Sequence, residues 1–260
     1  MRVLFSALLA LTLAVAGGEA LAQITNINMA INKAGRERML SQRMAKAYFQ
    51  IGLQVDAERS KKVLDASVAA FDSQLAELKD FAPTPEIKNT YQKLEAVWLN
   101  YKNELLGSLP SQESGRKVLA MSEEVLALAH QGTVQLEKVS GTTAGRLINI
   151  SGRERMLSQR MAKFYQAAAW KVADERSAAN LATARKEFAE GLRELAGAPI
   201  NTQQIKDGLA LVAQQWLFFE NALDQKSDDG KRQLLAVATT SERILEELEG
   251  VVGQYETLQK

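Results

Sequence analysis

The residues in this sequence whose types could do chemistry are concentrated in one segment that occurs twice. Gly35-Arg36-Glu37-Arg38-Met39-Leu40-Ser41-Gln42-Arg43-Met44-Ala45-Lys46 recurs unchanged as Gly152-Arg153-Glu154-Arg155-Met156-Leu157-Ser158-Gln159-Arg160-Met161-Ala162-Lys163, an offset of 117. A 3.5-residue step through Ile24, Ile27, Ile31, Ala34, Arg38, Ser41, Ala45 and Tyr48 traces a packing stripe with a cation at its centre. The second copy repeats it as Ile148, Ser151, Arg155, Ser158, Ala162 and Tyr165. A guanidinium in such a seam is costly unless its charge meets a counter-charge, and the stripe itself offers none. A bound anion would supply it, because the planar fork of N–H donors matches carboxylate, nitrate or phosphate oxygens in paired hydrogen bonds. If the two copies pack with these helices side by side, Arg38 and Arg155 face one another, and one small anion between them turns repulsion into attraction. Helix position would then depend on ligand occupancy, which is what a sensor requires.

Blander readings exist for the same residues. Arg36, Glu37, Gln42, Arg43 and Lys46 can form a solvated helix face, and Met39, Leu40 and Met44 read as core. Arg38 and Arg43 can instead pair with carboxylates on other helices, Glu123 or Glu242 for example. His130 reads as a surface or core histidine. Elsewhere the 260 residues close doors: without Cys there is no disulfide or thiol nucleophile, and a single His makes a multi-His metal site unlikely on composition. The 32 Lys+Arg against 31 Asp+Glu give a net charge of +1 and no global attraction for nucleic acid. Glu123-Glu124 and Glu246-Glu247 read as helix-surface charges, and Asp228-Asp229-Gly230 as a turn lacking the other ligands of a calcium loop. No Gly-rich phosphate loop or nucleophile elbow is present. The expectation is a non-enzyme without cofactor or metal.

The elements that must position the arginines follow from periodicity and breakers. Met1-Arg2, the apolar run Val3 to Ala16 and Ala20-Leu21-Ala22 read as an export signal over 1–22, cut after Ala22, which places the mature chain in the periplasm. No later stretch is apolar enough to span a bilayer. Pro83, Pro85, Gly107 and Pro110 punctuate the first copy, and Gly197, Pro199 and Gly230 the second. Thr84 and Ser111 stand ready as caps. Four helices per copy result, roughly 26–56, 57–80, 85–107 and 112–139, then 145–173, 174–196, 201–224 and 229–258. The fold expected is all-α: two tandem up-down four-helix bundles, 23–140 and 141–260, packed as a pseudo-twofold dimer within one chain.

The run Ile31-Asn32-Lys33-Ala34-Gly35-Arg36-Glu37-Arg38-Met39-Leu40-Ser41-Gln42-Arg43 resembles the signature on the first helix of the PilJ-type domain. That domain is the N-terminal sensor region of type IV pilus methyl-accepting transducers, and it also forms the periplasmic domain of nitrate-sensing histidine kinases of the NarX type. The second copy departs from the pattern at Ile150 and Ser151. The resemblance implies that Arg38 and Arg155 bind the anion and that Gly35 and Gly152 permit close approach. It also implies that Arg43 and Arg160 are supporting cations beside Ser41, Ser158, Met39 and Met156. Such sensors continue into a membrane helix and a signalling coil, whereas this chain ends at Lys260; a separate membrane receptor or histidine kinase is therefore expected to receive the signal. The function expected is an exported sensor or binding protein for a small oxyanion, nitrate or nitrite foremost, acting as a monomeric pseudo-dimer. The alternative is an interaction module for a pilus, chemoreceptor or kinase component that binds no ligand.

Overall fold

A computed structural model describes residues 23–107, 109–225 and 230–258. The proposed export signal, 1–22, lies outside them, as does most of the turn before Gly230. The described residues form eight helices and no strand: α1 (Ile27–Leu53), α2 (Ala57–Phe81), α3 (Pro85–Leu106), α4 (Gln112–Ser140), α5 (Thr143–Ala169), α6 (Ser177–Ala196), α7 (Gln203–Asp224) and α8 (Gly230–Thr257). No helix among them is long and apolar enough to cross a membrane.

Local chemistry accounts for the ends. Thr84 accepts from the Ile87 N–H with Pro85 opening the helix behind it, and Ser111 and Ser114 form a reciprocal capping box. Between the repeats only Gly141 and Thr142 are non-helical. Gly141 terminates α4 at φ 60°, and Thr142 caps α5 by accepting from Gly145 N–H. The first junction within each copy is sharper than its sequence suggests. Gln54 and Asp56 turn the chain at φ 55° and 44° without glycine, whereas the second copy uses a longer stretch, 170–176, with Lys171 at φ 62°.

α1 packs against α2 and α4, and α3 against α4, closing one bundle; α5, α6, α7 and α8 repeat the arrangement. Each bundle carries the same aromatic stack, Phe71 on Trp98 at 4.1 Å and Phe188 on Trp216 at 4.4 Å. The broadest helix contact in the molecule is α1 with α5, which joins the bundles. Up-down alternation makes these two helices parallel, so equivalent residues meet at the same height about a pseudo-twofold axis.

This position overturns the solvated-face reading of the repeated segment. α1 touches α2, α4, α5 and α8, so most of its middle turns face protein. Glu37, Gln42 and Lys46 are buried, as are their twins Glu154, Gln159 and Lys163. Arg36 remains partly exposed beside Glu249. Met39, Leu40 and Met44 lie in the core.

Candidate functional site

Gly35 and Gly152 meet on the axis. A Cβ on Gly35 would stand 3.6 Å from the Gly152 Cα, 3.3 Å from Arg38 Nη2 and 3.5 Å from Arg155 Nη2, and the view from Gly152 is nearly the same. The absent side chains leave the space into which both guanidiniums fold. Each arginine then crosses to the other repeat. Arg38 Nη2 donates to the Asn149 carbonyl at 3.0 Å; Arg155 Nη2 donates to Asn32, at 3.3 Å to its carbonyl and 2.7 Å to its Oδ1. Asn149 and Asn32 are held by Glu137 and Glu256. Ser41 and Ser158 donate to the Arg38 and Arg155 carbonyls at 2.8 Å, within their own helices, and Met39 and Met156 are buried beside them.

The symmetry fails at the outer end of each guanidinium. Arg155 Nη1 donates to Glu249 on α8 at 2.7 Å, so this arginine finds a counter-charge that its own stripe does not supply. Arg38 Nη1 instead approaches His130 Nδ1 on α4 at 3.2 Å. Burial, and then the charge of Arg155, lowers the Arg38 pKa to about 9. Burial also lowers that of Arg155, with Glu249 opposing the shift. His130 is held at about 4 by partial burial and the positive charges of Arg38 and Arg153, so at neutral pH its ring is uncharged and Nδ1 accepts.

Arg43, Lys46, Arg160 and Lys163 are engaged across the repeats. Arg43 pairs with Glu242 on α8, and Arg160 with Glu123 on α4. Lys46 joins Glu242, and donates to Gln159 at 2.6 Å and Ser241 at 3.1 Å; Lys163 joins Glu123 at 2.6 Å and Ser122 at 3.0 Å. The geometry therefore brings Arg38, Arg155, Gly35 and Gly152 together, while Arg43 and Arg160 turn to carboxylates of the opposite repeat.

Residues 20–125 and 140–242 each match the family described as PilJ, Type IV pili methyl-accepting chemotaxis transducer N-term. The chain belongs to the PilJ family. A search of curated proteins and a search of solved structures each returned no match. The two PilJ matches correspond to the two bundles, and the doubled segment lies on the first helix of each.

His130 and Glu249 are the site residues that periodicity alone misses. The signal was nevertheless in the sequence. The offset of 119 that sets Ser122 on Ser241 also sets His130 on Glu249, and so marks a place where the repeats differ in charge beside their identical arginines.

Proposed function

We propose that this PilJ chain is an exported sensor or binding protein for a small oxyanion, nitrate or nitrite foremost. The anion is held between the paired α1 and α5 with Arg38 and Arg155 as ligands, beside the Gly35–Gly152 contact that admits both guanidiniums. Its occupancy is reported to a membrane receptor or histidine kinase. Membership of a family of chemotaxis transducer N-terminal regions supports a sensory role. One observation carries the anion. In the two identical segments Arg36, Arg43, Lys46, Arg153, Arg155, Arg160 and Lys163 each have a carboxylate at ion-pair distance, whereas the fully buried Arg38 has a neutral histidine. An uncompensated buried cation is stabilised by whatever anion can reach it.

Thermal-shift titration with nitrate, nitrite, sulfate and small carboxylates tests this. At least one oxyanion raises the Tm of the wild type, and Arg38→Ala and Arg155→Ala each remove the response. Indifference of the wild type to every one of them overturns the proposal.

The second reading, a docking module without a ligand, draws on α7, where Leu211, Leu217 and Phe218 are exposed. It requires a membrane protein that co-purifies with the chain and is lost on Phe218→Ser, with no response to anions.

A further inference from the structure

Glu249 is an internal ligand, and the first repeat has a cleft where its counterpart is missing. Around Glu249 stand Arg155, whose Nη1 donates at 2.7 Å, and Arg36, whose Nη2 donates at 2.6 Å. The offset of 117 turns these cations into Arg38 and Arg153, the two whose charges bear on His130. The second repeat thus shows what the pair of arginines accepts when a carboxylate is tethered beside them. In the first repeat the tether carries an imidazole instead. A surface cleft of about 290 Å³ opens at His130, walled by Leu126, Ala127, Arg153 and Met156. Two carboxylates border it, and both are engaged: Glu123 with Arg160 and Lys163, Glu187 with Arg153 at 2.9 Å.

We propose that this cleft binds a small monocarboxylate with a short apolar chain, its carboxylate taking beside Arg38 and Arg153 the place that Glu249 takes beside Arg155 and Arg36. The inference rests on the sensory role proposed above but not on its axial site, and places the ligand to one side of the axis instead. Arg38 is fully buried behind the exposed His130, so the ligand reaches Arg38 Nη1 only when the imidazole rotates outward. The exchange replaces a hydrogen bond to a neutral ring by a charge-assisted one to a carboxylate, which is the stronger kind. Leu126 and Met156, both largely buried, supply the apolar wall for the chain of the ligand, and Ala127 leaves the entrance open. The cleft is at the small end of ligand sites, which limits the ligand to a few carbons. Because the second repeat is already filled by Glu249, one chain binds one ligand, and occupancy bears on the α4 side of the α1–α5 pair alone.

The test is calorimetry and thermal shift with acetate, butyrate and nitrate on the full chain and four variants. Butyrate at a hundred times its Kd raises the wild-type Tm by about 5–10 °C. His130→Glu, which copies the second repeat, melts higher than the wild type in ligand-free buffer and binds butyrate at least tenfold more weakly. His130→Gln, which carries no charge, keeps the response. Ala127→Trp closes the entrance from an exposed position and abolishes it without loss of folding. Arg38→Ala abolishes it as well. A butyrate response that survives both His130→Glu and Ala127→Trp overturns the inference, as does a wild type that ignores carboxylates. A nitrate response that needs both Arg38 and Arg155 and persists in His130→Glu overturns it too, but leaves the axial reading standing. No response to any anion removes both.

Discussion

The Arg43 guanidinium donates twice to the Glu242 carboxylate, at 3.1 and 2.5 Å, although the two residues belong to different repeats. Arg160 and Glu123 form the twin of this pair at 3.3 and 2.5 Å. With the buried Lys46 and Lys163 on the same two carboxylates, α1 is tied to α8 and α5 to α4. The two PilJ bundles are therefore joined by exchanged charge as well as by apolar contact.

Removing one carboxylate strands two cations, one of them fully buried. Glu242→Ala and Glu123→Ala are each expected to lower stability by about 3–5 kcal/mol in urea unfolding. Burial pushes both carboxyls up, but the charges and hydrogen bonds of the Lys and Arg partners outweigh it and bring each pKa to about 2. The folded value lies below the unfolded one, so the stabilisation is complete above about pH 5 and is lost as pH falls toward 2. Unfolding midpoints measured from pH 6 to pH 2.5 fall steeply for the wild type and less steeply for Glu123→Gln and Glu242→Gln.

Glu37 and Glu154 behave in the opposite sense. Both are buried; neither Glu37 oxygen accepts a hydrogen bond from the protein, and the same holds for Glu154 Oε2. Burial raises both pKa values well above the ordinary range, with Asp72 adding to the shift at Glu37 and Glu187 at Glu154. A carboxyl whose folded pKa is raised contributes fully below its unfolded value, and that contribution is lost as pH rises. Glu37→Gln and Glu154→Gln keep the shape without the charge. Their stability relative to the wild type is expected to increase from pH 4 to pH 8; a difference independent of pH would refute neutral carboxyls in the core.

Arg38 and Arg155 are identical in sequence context and unequal in energetics. Arg38→Met removes a buried cation that has no carboxylate and is expected to stabilise the anion-free protein by about 1–4 kcal/mol. Arg155→Met leaves Glu249 with Arg36 alone and is expected to destabilise it. Tm in a buffer free of small oxyanions separates the two. Equal effects would mean that His130 and Glu249 serve their arginines alike.

Trp170 closes the far end of the interface. A Cβ on Gly52 of α1 would lie 2.1 Å from its Cζ2, and one on Gly115 of α4 would lie 2.7 Å from its Cζ3. Tyr48 and Phe49 complete the cluster, with ring centroids 6.2 and 5.8 Å away. Gly52→Ala gains about 1 kcal/mol of helix propensity but overpacks the indole at a cost of about 1–3 kcal/mol, for a net loss of up to about 2 kcal/mol. In the Trp170→Ala background the same change is expected to cost less or to stabilise, and the double-mutant cycle measures the difference.

Much of the fold was legible because its signals are local. The 117-residue repeat announced two copies, Pro85 and Ser111 marked helix starts that the structure keeps, and Arg38 and Arg155 stood out as cations in apolar stripes. Gln42 and Lys46 misled for a physical reason. A polar residue on an apparent outer face is solvated only if nothing covers that face, and here α4 covers Gln42 while α5 and α8 cover Lys46. Lys171 and Gln54 show the same limit at the turns, since positive φ at residues other than glycine is imposed by the packing of flanking helices and leaves no mark in composition.

By itself the sequence determined that this chain is helical, doubled, a bearer of the PilJ segment and equipped with two buried arginines. Only the tertiary structure decided which group answers each charge. Arg43 meets Glu242 across 199 positions of chain, and Arg155 meets Glu249 across 94. Helical periodicity reports which side of its own helix a residue occupies. The partner on that side depends on how α4 and α8 lie against the two first helices, and the packing of each against its own repeat's first helix leaves Arg38 facing a histidine where Arg155 faces a carboxylate.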